Sequence, residues 1–446
     1  MKKKLILLSL LIVIIAGLGI GIFLLSDSTE ETDSTNPNLV ILKLDEADIS
    51  SIGMKNEYGE QTASFYGEND ATRSLKLDIY KDIPSHDGSC KNLLNNVLSL
   101  NALRNFGENT KNTDYGFKNP FAVLTVKLSD GTSKTITFGN ESPDKSGRYA
   151  TLSGNKNVFL VENSVVNVFS QNPQNFISLN LFGVYTDEEA MSVKEIVLGG
   201  SCREQEITVI NDKSDYSARI FKIAKPINSF AKDENVAQFC TMLTLTYSAE
   251  AIEVLNPDEK TLAEYGFDSP YSTVKFVFAG KEEKIVFGKK AKDGKLYAMV
   301  NDIPAIYRLN AEDYSFIGYK LPSLRDSALF SCIIKYVDSI AITADGKTNL
   351  FKADNESVTL NDKSFDYREF KDYYGAFLQS LSKSYDKTCS NKAEKVCEVK
   401  ITFNYDRIPE TFVFYKENNE YFVSMNGEKP INLHTEYIAK FLQKIF

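Results

Sequence analysis

The chain has 446 residues, of which 43% are hydrophobic, and its formal net charge at pH 7 is −9. This length and hydrophobic content are sufficient for a buried core and predict about two to four domains. An acidic chain is poorly suited to binding phosphate backbones, so we expect no nucleic-acid partner.

The N-terminal segment has the pattern of a membrane anchor. Three lysines at positions 2–4 precede an uncharged apolar run, residues 5–25, which begins at Leu5 and ends at Leu25. As a helix this run would be about 31 Å long, enough for one bilayer core. Bulky residues stand where cleavage needs small ones, so we expect a retained anchor, with a cleaved signal peptide as the alternative. The lysines predict a single-pass protein of the cell membrane with a cytoplasmic N-terminus and an extracytoplasmic C-terminal region.

The remainder of the chain contains an internal repeat. The sequence Tyr115-Gly116-Phe117 with Pro120 recurs as Tyr265-Gly266-Phe267 with Pro270. Each motif precedes a segment in which apolar and polar residues alternate, turn at a polar stretch and alternate again up to a Phe-Gly pair. Alternation with a period of two around a short turn predicts a β-hairpin at 122–139 and an equivalent hairpin at 272–288.

A third copy is recognisable at residues 397–415, although it lacks the Tyr-Gly-Phe motif. Each copy has a strand-like stretch, centred on Ile52, Ile196 and Ile340, and then an apolar stripe at helical spacing before its hairpin. We therefore predict an α+β fold of three tandem units, each an antiparallel β-sheet packed on helices, after one N-terminal transmembrane helix. The predicted divisions are a cytoplasmic stub and anchor at 1–25, a flexible acidic linker at 26–38, and repeats at 39–175, 176–325 and 326–446.

The two Tyr-Gly-Phe motifs are the candidate structural sites. Gly116 and Gly266 could adopt a positive φ for a sharp reversal, and Pro120 and Pro270 could begin a strand without a backbone donor. We expect the flanking aromatic residues to fill space between helix and sheet. The alternative is an exposed aromatic clamp for a ligand.

Residue patterns typical of catalysis are weak in this sequence. His86 and His434 are the two histidines, and neither has metal-ligand spacing around it. Ser380 and Lys383 have the spacing of a Ser–Lys pair but lack the motifs that accompany one. A catalytic pair of carboxylates remains an alternative, since folding can bring together acidic residues that are distant in the sequence. We expect a protein without catalytic residues, cofactor or metal.

The six cysteines include two at equivalent repeat positions. Cys90 and Cys240 each lie 25 residues before their Tyr-Gly-Phe motif, so we predict two unpaired core residues. Cys389 and Cys397 bracket the region where the third copy lacks the motif. A disulfide closing that short loop is one prediction, and two free thiols are the alternative.

The anchor, the Tyr-Gly-Phe turn and the segment from Phe138 to Leu152 together resemble the bacterial family called domain of unknown function 4340. This resemblance implies an envelope protein, often encoded beside gliding-type ABC export systems, with no established catalytic residues. The leading hypothesis is a non-catalytic, membrane-tethered extracytoplasmic scaffold or adaptor that is accessory to an ABC-type export complex. Its partners would be the membrane, through residues 5–25, and a transport protein. The alternative is an envelope glycan-binding protein or a carboxylate-based hydrolase.

Overall fold

The computed structural model describes residues 39–445 except 68–72, 111, 112, 184, 292 and 355. The protein is mostly β, with 43% strand and 20% helix arranged around four antiparallel sheets. The predicted α+β class is therefore wrong. The predicted helices are short, because the chain leaves each one to add a further strand to its sheet. In the first copy the helix ends at Leu98, and Leu103, five residues further on, is 50% exposed.

The described part of the chain was also searched for helices that could span a membrane. None of the helices in the described ranges is long and apolar enough to cross a membrane. The predicted span at residues 5–25 lies outside the described residues.

The elements have the following bounds. The strands are β1 (Val40–Lys43), β2 (Ile49–Asn56), β3 (Gly59–Tyr66), β4 (Ser74–Leu77), β5 (Ser99–Asn101), β6 (Arg104–Glu108), β7 (Ala122–Leu128), β8 (Ser133–Glu141), β9 (Gly147–Leu152), β10 (Asn157–Glu162), β11 (Glu195–Gly199), β12 (Ile207–Asn211), β13 (Phe221–Lys225), β14 (Ser229–Phe230), β15 (Ala251–Leu255), β16 (Ser272–Val277), β17 (Glu282–Lys290), β18 (Lys295–Val300), β19 (Ala305–Asn310), β20 (Val337–Ala344), β21 (Lys347–Asp354), β22 (Ser357–Leu360), β23 (Lys363–Phe365), β24 (Ser382–Ser384), β25 (Glu394–Phe403), β26 (Glu410–Glu417), β27 (Glu420–Met425) and β28 (Ile431–Leu433). The α-helices are α1 (Asp87–Leu98), α2 (Asn163–Phe169), α3 (Asp187–Met191), α4 (Asp233–Thr241), α5 (Glu259–Glu264), α6 (Leu321–Leu324), α7 (Tyr367–Leu378) and α8 (Thr435–Ile445). Short 3₁₀ helices lie at Glu46–Asp48, Asp78–Tyr80, Pro173–Phe176, Ser315–Gly318 and Ile334–Tyr336.

The three large sheets follow one path through space. Their strand orders are β4-β3-β2-β7-β8-β9-β10-β6, then β14-β13-β12-β11-β16-β17-β18-β19-β15, then β23-β22-β21-β20-β25-β26-β27-β28-β24. In each, a meander leads into a helix, and a strand that follows this helix (β6, β15 or β24) pairs with the last strand of a second meander. The first strand of the first meander (β2, β11 or β20) lies beside the first strand of the hairpin (β7, β16 or β25). β1 and β5 form a separate two-stranded sheet.

The strand register relates the copies residue by residue. Ile52 pairs with Val126, Ile196 pairs with Phe276, and Ile340 pairs with Ile401. The predicted hairpins at 122–139 and 272–288 are antiparallel strand pairs, β7–β8 and β16–β17. Period-two alternation was a sufficient signal because one face of each hairpin is buried.

The core of the first copy lies between its sheet and the helices α1 and α2. Leu124, Val126, Ile136 and Phe138 line the buried face of the hairpin, and each is fully buried. The ring of Phe138 stacks on Phe169 of α2 with 5.5 Å between centroids. Burying a side chain of this size contributes about 1.5–3 kcal/mol, so the apolar face of each sheet is the main source of stability.

The chain divides into two compact units, one ending at Ser178 and one beginning at Leu179. The second unit contains both the second and the third large sheet. These two sheets are joined by a backbone bridge between Ala328 and Leu381, and by a Tyr216–Tyr405 ring stack at 4.4 Å. The limits predicted for three separate repeats remain predictions.

Candidate binding surface

The two Tyr-Gly-Phe motifs form the same turn. Gly116 and Gly266 both have φ of 82°, which confirms the predicted positive φ. The carbonyl of Tyr115 accepts a hydrogen bond of 2.7 Å from the N–H of Asn140, and the carbonyl of Tyr265 accepts one of 2.9 Å from Lys289. Each donor follows the Phe-Gly pair of the hairpin. The turn is therefore tied to the far end of the hairpin that it precedes.

The glycine of each Phe-Gly pair allows the end of the hairpin to approach the backbone of the Tyr-Gly-Phe turn. A Cβ on Gly139 would lie 2.1 Å from the carbonyl oxygen of Tyr115, and one on Gly288 would lie 2.3 Å from that of Tyr265. Only glycine permits the two backbones to come this close. The recurrence of both motifs in the sequence thus has a single structural cause.

The prolines of the motif lie outside the strands. Pro120 is exposed and Pro270 is half-buried, while β7 and β16 begin two residues later, at Ala122 and Ser272. The prediction that these prolines begin the strands is wrong by this margin. They belong to the connection, where proline needs no backbone donor.

The aromatic residues of the first motif form part of a partly exposed surface, contrary to the expected core filling. Strand alternation places Tyr149 on the face of β9 opposite the buried Ala150. The Tyr149 ring lies 4.6 Å from Tyr115 and 5.7 Å from Phe106, and Tyr115 lies 6.0 Å from Phe117. We call Phe106, Tyr149, Tyr115 and Phe117 the aromatic ladder. Phe106 is 38% exposed and the other three are half-buried.

Polar groups of the ladder are available to a ligand. The Arg104 guanidinium lies over the Phe106 ring at 4.8 Å and makes no hydrogen bond or ion pair with any residue that the structure describes. Within the same described ranges, the hydroxyls of Tyr115 and Tyr149 make no hydrogen bond. The ladder therefore combines apolar rings, two hydroxyl donors and one cation.

The second copy has an ion pair where the first has apolar residues. Tyr265 lies 4.6 Å from Tyr297, which matches the Tyr115–Tyr149 pair. The register places Glu253 at the position of Phe106 and Arg308 at the position of Leu160. Arg308 donates to Glu253 at 3.2 Å. Burial raises the pKa of Tyr265, and the Glu253 carboxylate raises it further.

Among its described residues, the third copy has no corresponding surface. Phe422 stands at the position of Tyr149 and is 2% exposed. The loop that replaces the Tyr-Gly-Phe turn is attached to the sheet by polar contacts of Ser390 and Lys387. The Ser390 N–H donates to Glu417 at 3.0 Å, and Lys387 forms an ion pair with Glu420.

The predicted disulfide of this loop is not formed. Cys389 and Cys397 are free thiols, half-buried and buried respectively. The polar contacts of Ser390 and Lys387 hold the loop in place of a covalent bond. Cys90 and Cys240 are also free and buried, which confirms their predicted state.

Of the residues considered for catalysis, His86 has a structural role, and Ser380 and Lys383 lie in different environments. His86 is the N-cap of α1, where its Nδ1 accepts the Ser89 N–H at 3.1 Å. Ser380 is buried whereas Lys383 is exposed, so they do not form a nucleophile pair. Within the described part of the chain, no group of three His, Cys, Asp or Glu residues could hold a metal ion.

Acidic residues line more than one cavity of the second unit. A cavity of about 430 Å³ is lined by Glu282 and Asp302, and a smaller one is lined by Glu410 and Glu428. The smaller cavity, of about 100 Å³, lies between β13, β14 and the third sheet. Its Glu410 forms an ion pair with Arg407, and its Glu428 accepts a hydrogen bond of 3.4 Å from Asn228. Both carboxylates therefore have partners inside the protein.

Two features were missed by sequence reasoning. Phe106 belongs to a strand that has no alternating pattern, so its place in the ladder depends on the pairing of β6 with β10. Arg203 is 8% exposed and donates to the carbonyls of Gly199, Ile317 and Tyr319. A lone arginine in a polar loop gives no sequence signal for such burial.

Comparison with known proteins gives a family but no activity. No curated protein and no solved structure matches this chain. The family described as Domain of unknown function (DUF4340) matches residues 76–244 and 222–385, and each match contains one Tyr-Gly-Phe motif. Because the matches together extend over more than half of the chain, this protein belongs to the DUF4340 family.

Proposed function

We propose that this protein is a non-catalytic extracytoplasmic adaptor that binds a protein partner through its aromatic ladder. The observation that carries the proposal is the exposure of Phe106 on an edge strand, beside three further half-buried rings. Aromatic residues and arginine are enriched at protein interfaces, where they supply most of the binding energy. The partner is proposed to be a component of an ABC-type export complex, which rests on the family resemblance alone.

The difference between the copies supports a binding role for the first. Copies one and two have the same turn and the same pair of tyrosines. The fold therefore accommodates an ion pair at the position of Phe106, as Glu253 and Arg308 demonstrate. An exposed phenylalanine at this site is not required by the fold, so a ligand is the better reason for it.

The ring geometry favours a protein over the glycan alternative. Neighbouring rings of the ladder are 4.6–6.0 Å apart and inclined by 38–58° to each other. Rings that pack against each other at these angles cover part of each other's faces and present edges. Inclined rings of this kind are less suited to stacking on a sugar than a single flat ring face.

In-cell photocrosslinking tests the proposal. A photoreactive phenylalanine analogue would replace Phe106 in the native host, and captured proteins would be identified by mass spectrometry. The matched control carries the same analogue at Glu253, the equivalent position of the second copy. We expect a transport component to be captured from position 106 and not from position 253.

Each other outcome has a defined meaning. Equal capture from both positions, or none from position 106, would overturn the adaptor. Specific capture of a protein unrelated to transport would support the adaptor function but would contradict an export complex as its partner. Sedimentation with purified cell-wall glycan that is lost in Phe106→Glu would instead favour the glycan-binding alternative.

A further inference from the structure

We propose that the aromatic ladder binds a proline-rich segment in the polyproline II conformation, with an acidic residue beside Arg104. This inference rests on the proposed adaptor function and names the chemistry of its partner. It depends on four observations of the first copy: the edge strand, the ring geometry, the free hydroxyls and the free cation.

The edge strand β6 is poorly suited to pairing with a further strand. Gly107 has φ of 74°, its N–H is bound by the Asn105 side chain at 2.9 Å, and the register with β10 shifts at this point. Bulges of this kind turn an edge away from edge-to-edge pairing. A ligand at this edge is therefore bound through side chains.

Polyproline II segments dock on surfaces that are lined by several aromatic rings, and the ladder supplies four such rings within 6.0 Å of their neighbours. A polyproline II helix rises about 3.1 Å per residue, so each ring-to-ring step corresponds to one or two residues. The four rings thus match a segment of up to about six residues. Such a segment enters the complex with little loss of conformational entropy, because proline restricts it beforehand.

The polar groups of the ladder match the backbone of such a segment. A polyproline II helix has no internal hydrogen bonds, so its carbonyls are free to accept. The hydroxyls of Tyr115 and Tyr149 make no hydrogen bond within the part of the chain that is described, and they can donate to these carbonyls. Arg104 stands over Phe106 at one end of the ladder, with no ion pair among the described residues. A carboxylate of the ligand would provide the missing charge partner.

Peptide binding to the full chain tests the inference. The probe is a fluorescent nonapeptide, Pro-Pro-Glu-Pro-Pro-Pro-Glu-Pro-Pro, with anisotropy as the readout. One comparison peptide has Lys in place of Glu, and another has Ser in place of Pro. We expect saturable binding of the probe and at least fivefold weaker binding of both comparison peptides.

Variants of the chain assign the binding to the ladder. Phe106→Glu should weaken binding at least tenfold, and because Phe106 is 38% exposed on an edge strand the variant should keep its melting temperature. Arg104→Glu should reverse the preference between the Glu and Lys peptides. Tyr149→Phe removes one hydroxyl and should weaken binding severalfold, whereas Tyr297→Phe in the second copy should leave it unchanged.

The inference is overturned if the probe does not bind saturably, or if Phe106→Glu or Arg104→Glu leaves its binding unchanged. Its failure differs from failure of the adaptor. If a partner is captured at position 106 but the probe does not bind, the adaptor function is supported and the proposed ligand class is rejected. If the probe binds but no partner is captured, the ligand class is supported and the adaptor function is rejected.

Discussion

At the residue scale, two glycines in each of the first two copies determine where the aromatic rings lie. Gly116 supplies the left-handed turn, and Gly139 lets the carbonyl of Tyr115 approach the end of β8. The ring of Phe117 lies against Gly139 as well. Substitution of either glycine should therefore displace the ladder as well as lower stability.

Gly116→Ala should lower the free energy of unfolding by about 1–3 kcal/mol, since an L-residue at positive φ is strained. A Cβ at this position would also lie 2.7 Å from the backbone nitrogen of Asn140. The matched control is Gly131→Ala, which has φ of 88° but no atom within 4 Å of the added Cβ. Urea unfolding should show a larger loss for Gly116→Ala; equal losses would contradict the close contact.

Buried thiols predict a loss of stability in alkali. Burial raises the pKa of Cys240 to about 12, from an ordinary value of 9.0. As the pH rises, the thiol ionises in the unfolded chain before it ionises in the folded protein. The stabilisation that the neutral, buried Cys240 provides is therefore complete below pH 9 and is lost as the pH rises from 9 towards 12. For one such group, the free energy of unfolding falls by at most about 1.4 kcal/mol per pH unit.

Cys240→Val should therefore flatten the decline in the free energy of unfolding between pH 9 and 10.5. Urea titrations at several pH values would measure it, and Cys389→Ser, at a half-buried site, serves as the comparison. If Cys240→Val and the parent decline in parallel, the thiol does not titrate as its burial predicts.

At the element scale, a buried arginine joins strand ends in the second copy. Arg203 donates to Gly199 at the end of β11, to Ser272 at the start of β16, and to Ile317 in a 3₁₀ helix. Its acceptors are neutral, and burial lowers its pKa. Five donors in a fixed plane make this set of contacts specific to arginine.

Arg203→Lys should cost about 2–4 kcal/mol of unfolding free energy, because a single ammonium leaves several buried acceptors without donors. The control is Lys352→Met, which removes the exposed Lys352–Asp362 pair and should produce no measurable change. Chemical denaturation of both variants gives the comparison. A loss for Arg203→Lys as small as that of the control would show that water replaces the arginine.

At the scale of the whole molecule, the second and third sheets share one compact unit. Arg325 of the second copy donates to the carbonyl of Ser382 at 3.2 Å, and Arg219 pairs with Asp326 at 2.8 Å. Together with the Tyr216–Tyr405 stack, these contacts cross between the two copies. We expect the two copies to unfold together.

Fragments of the chain test this expectation. A fragment of residues 179–446 should unfold in a single cooperative transition, followed by circular dichroism in urea. A fragment of residues 179–325 should be markedly less stable, since it ends at Arg325 and leaves Tyr216 without its partner ring. Equal midpoints for the two fragments would show that the second copy is an independent domain.

The sequence by itself determined the repeat, the hairpins and the left-handed glycines. These are local features: alternation with period two fixes which face of a strand is buried, and Gly116 with its neighbours is sufficient to specify a reversal. The family resemblance rested on the same local motifs, and the match to the DUF4340 family confirms it.

Only the tertiary structure decided the fold class, the exposure of the rings and the state of the cysteines. Phe106 and Tyr149 are 43 positions apart in the sequence and meet because β6 pairs with β10 beside β9. No local pattern encodes that pairing, since β6 is a short edge strand with a bulge. The Cys389–Cys397 bridge was predicted from spacing, but contacts of Ser390 and Lys387 with Glu417 and Glu420 hold the loop instead. Long-range pairing brings these groups together, and spacing along the chain does not record it.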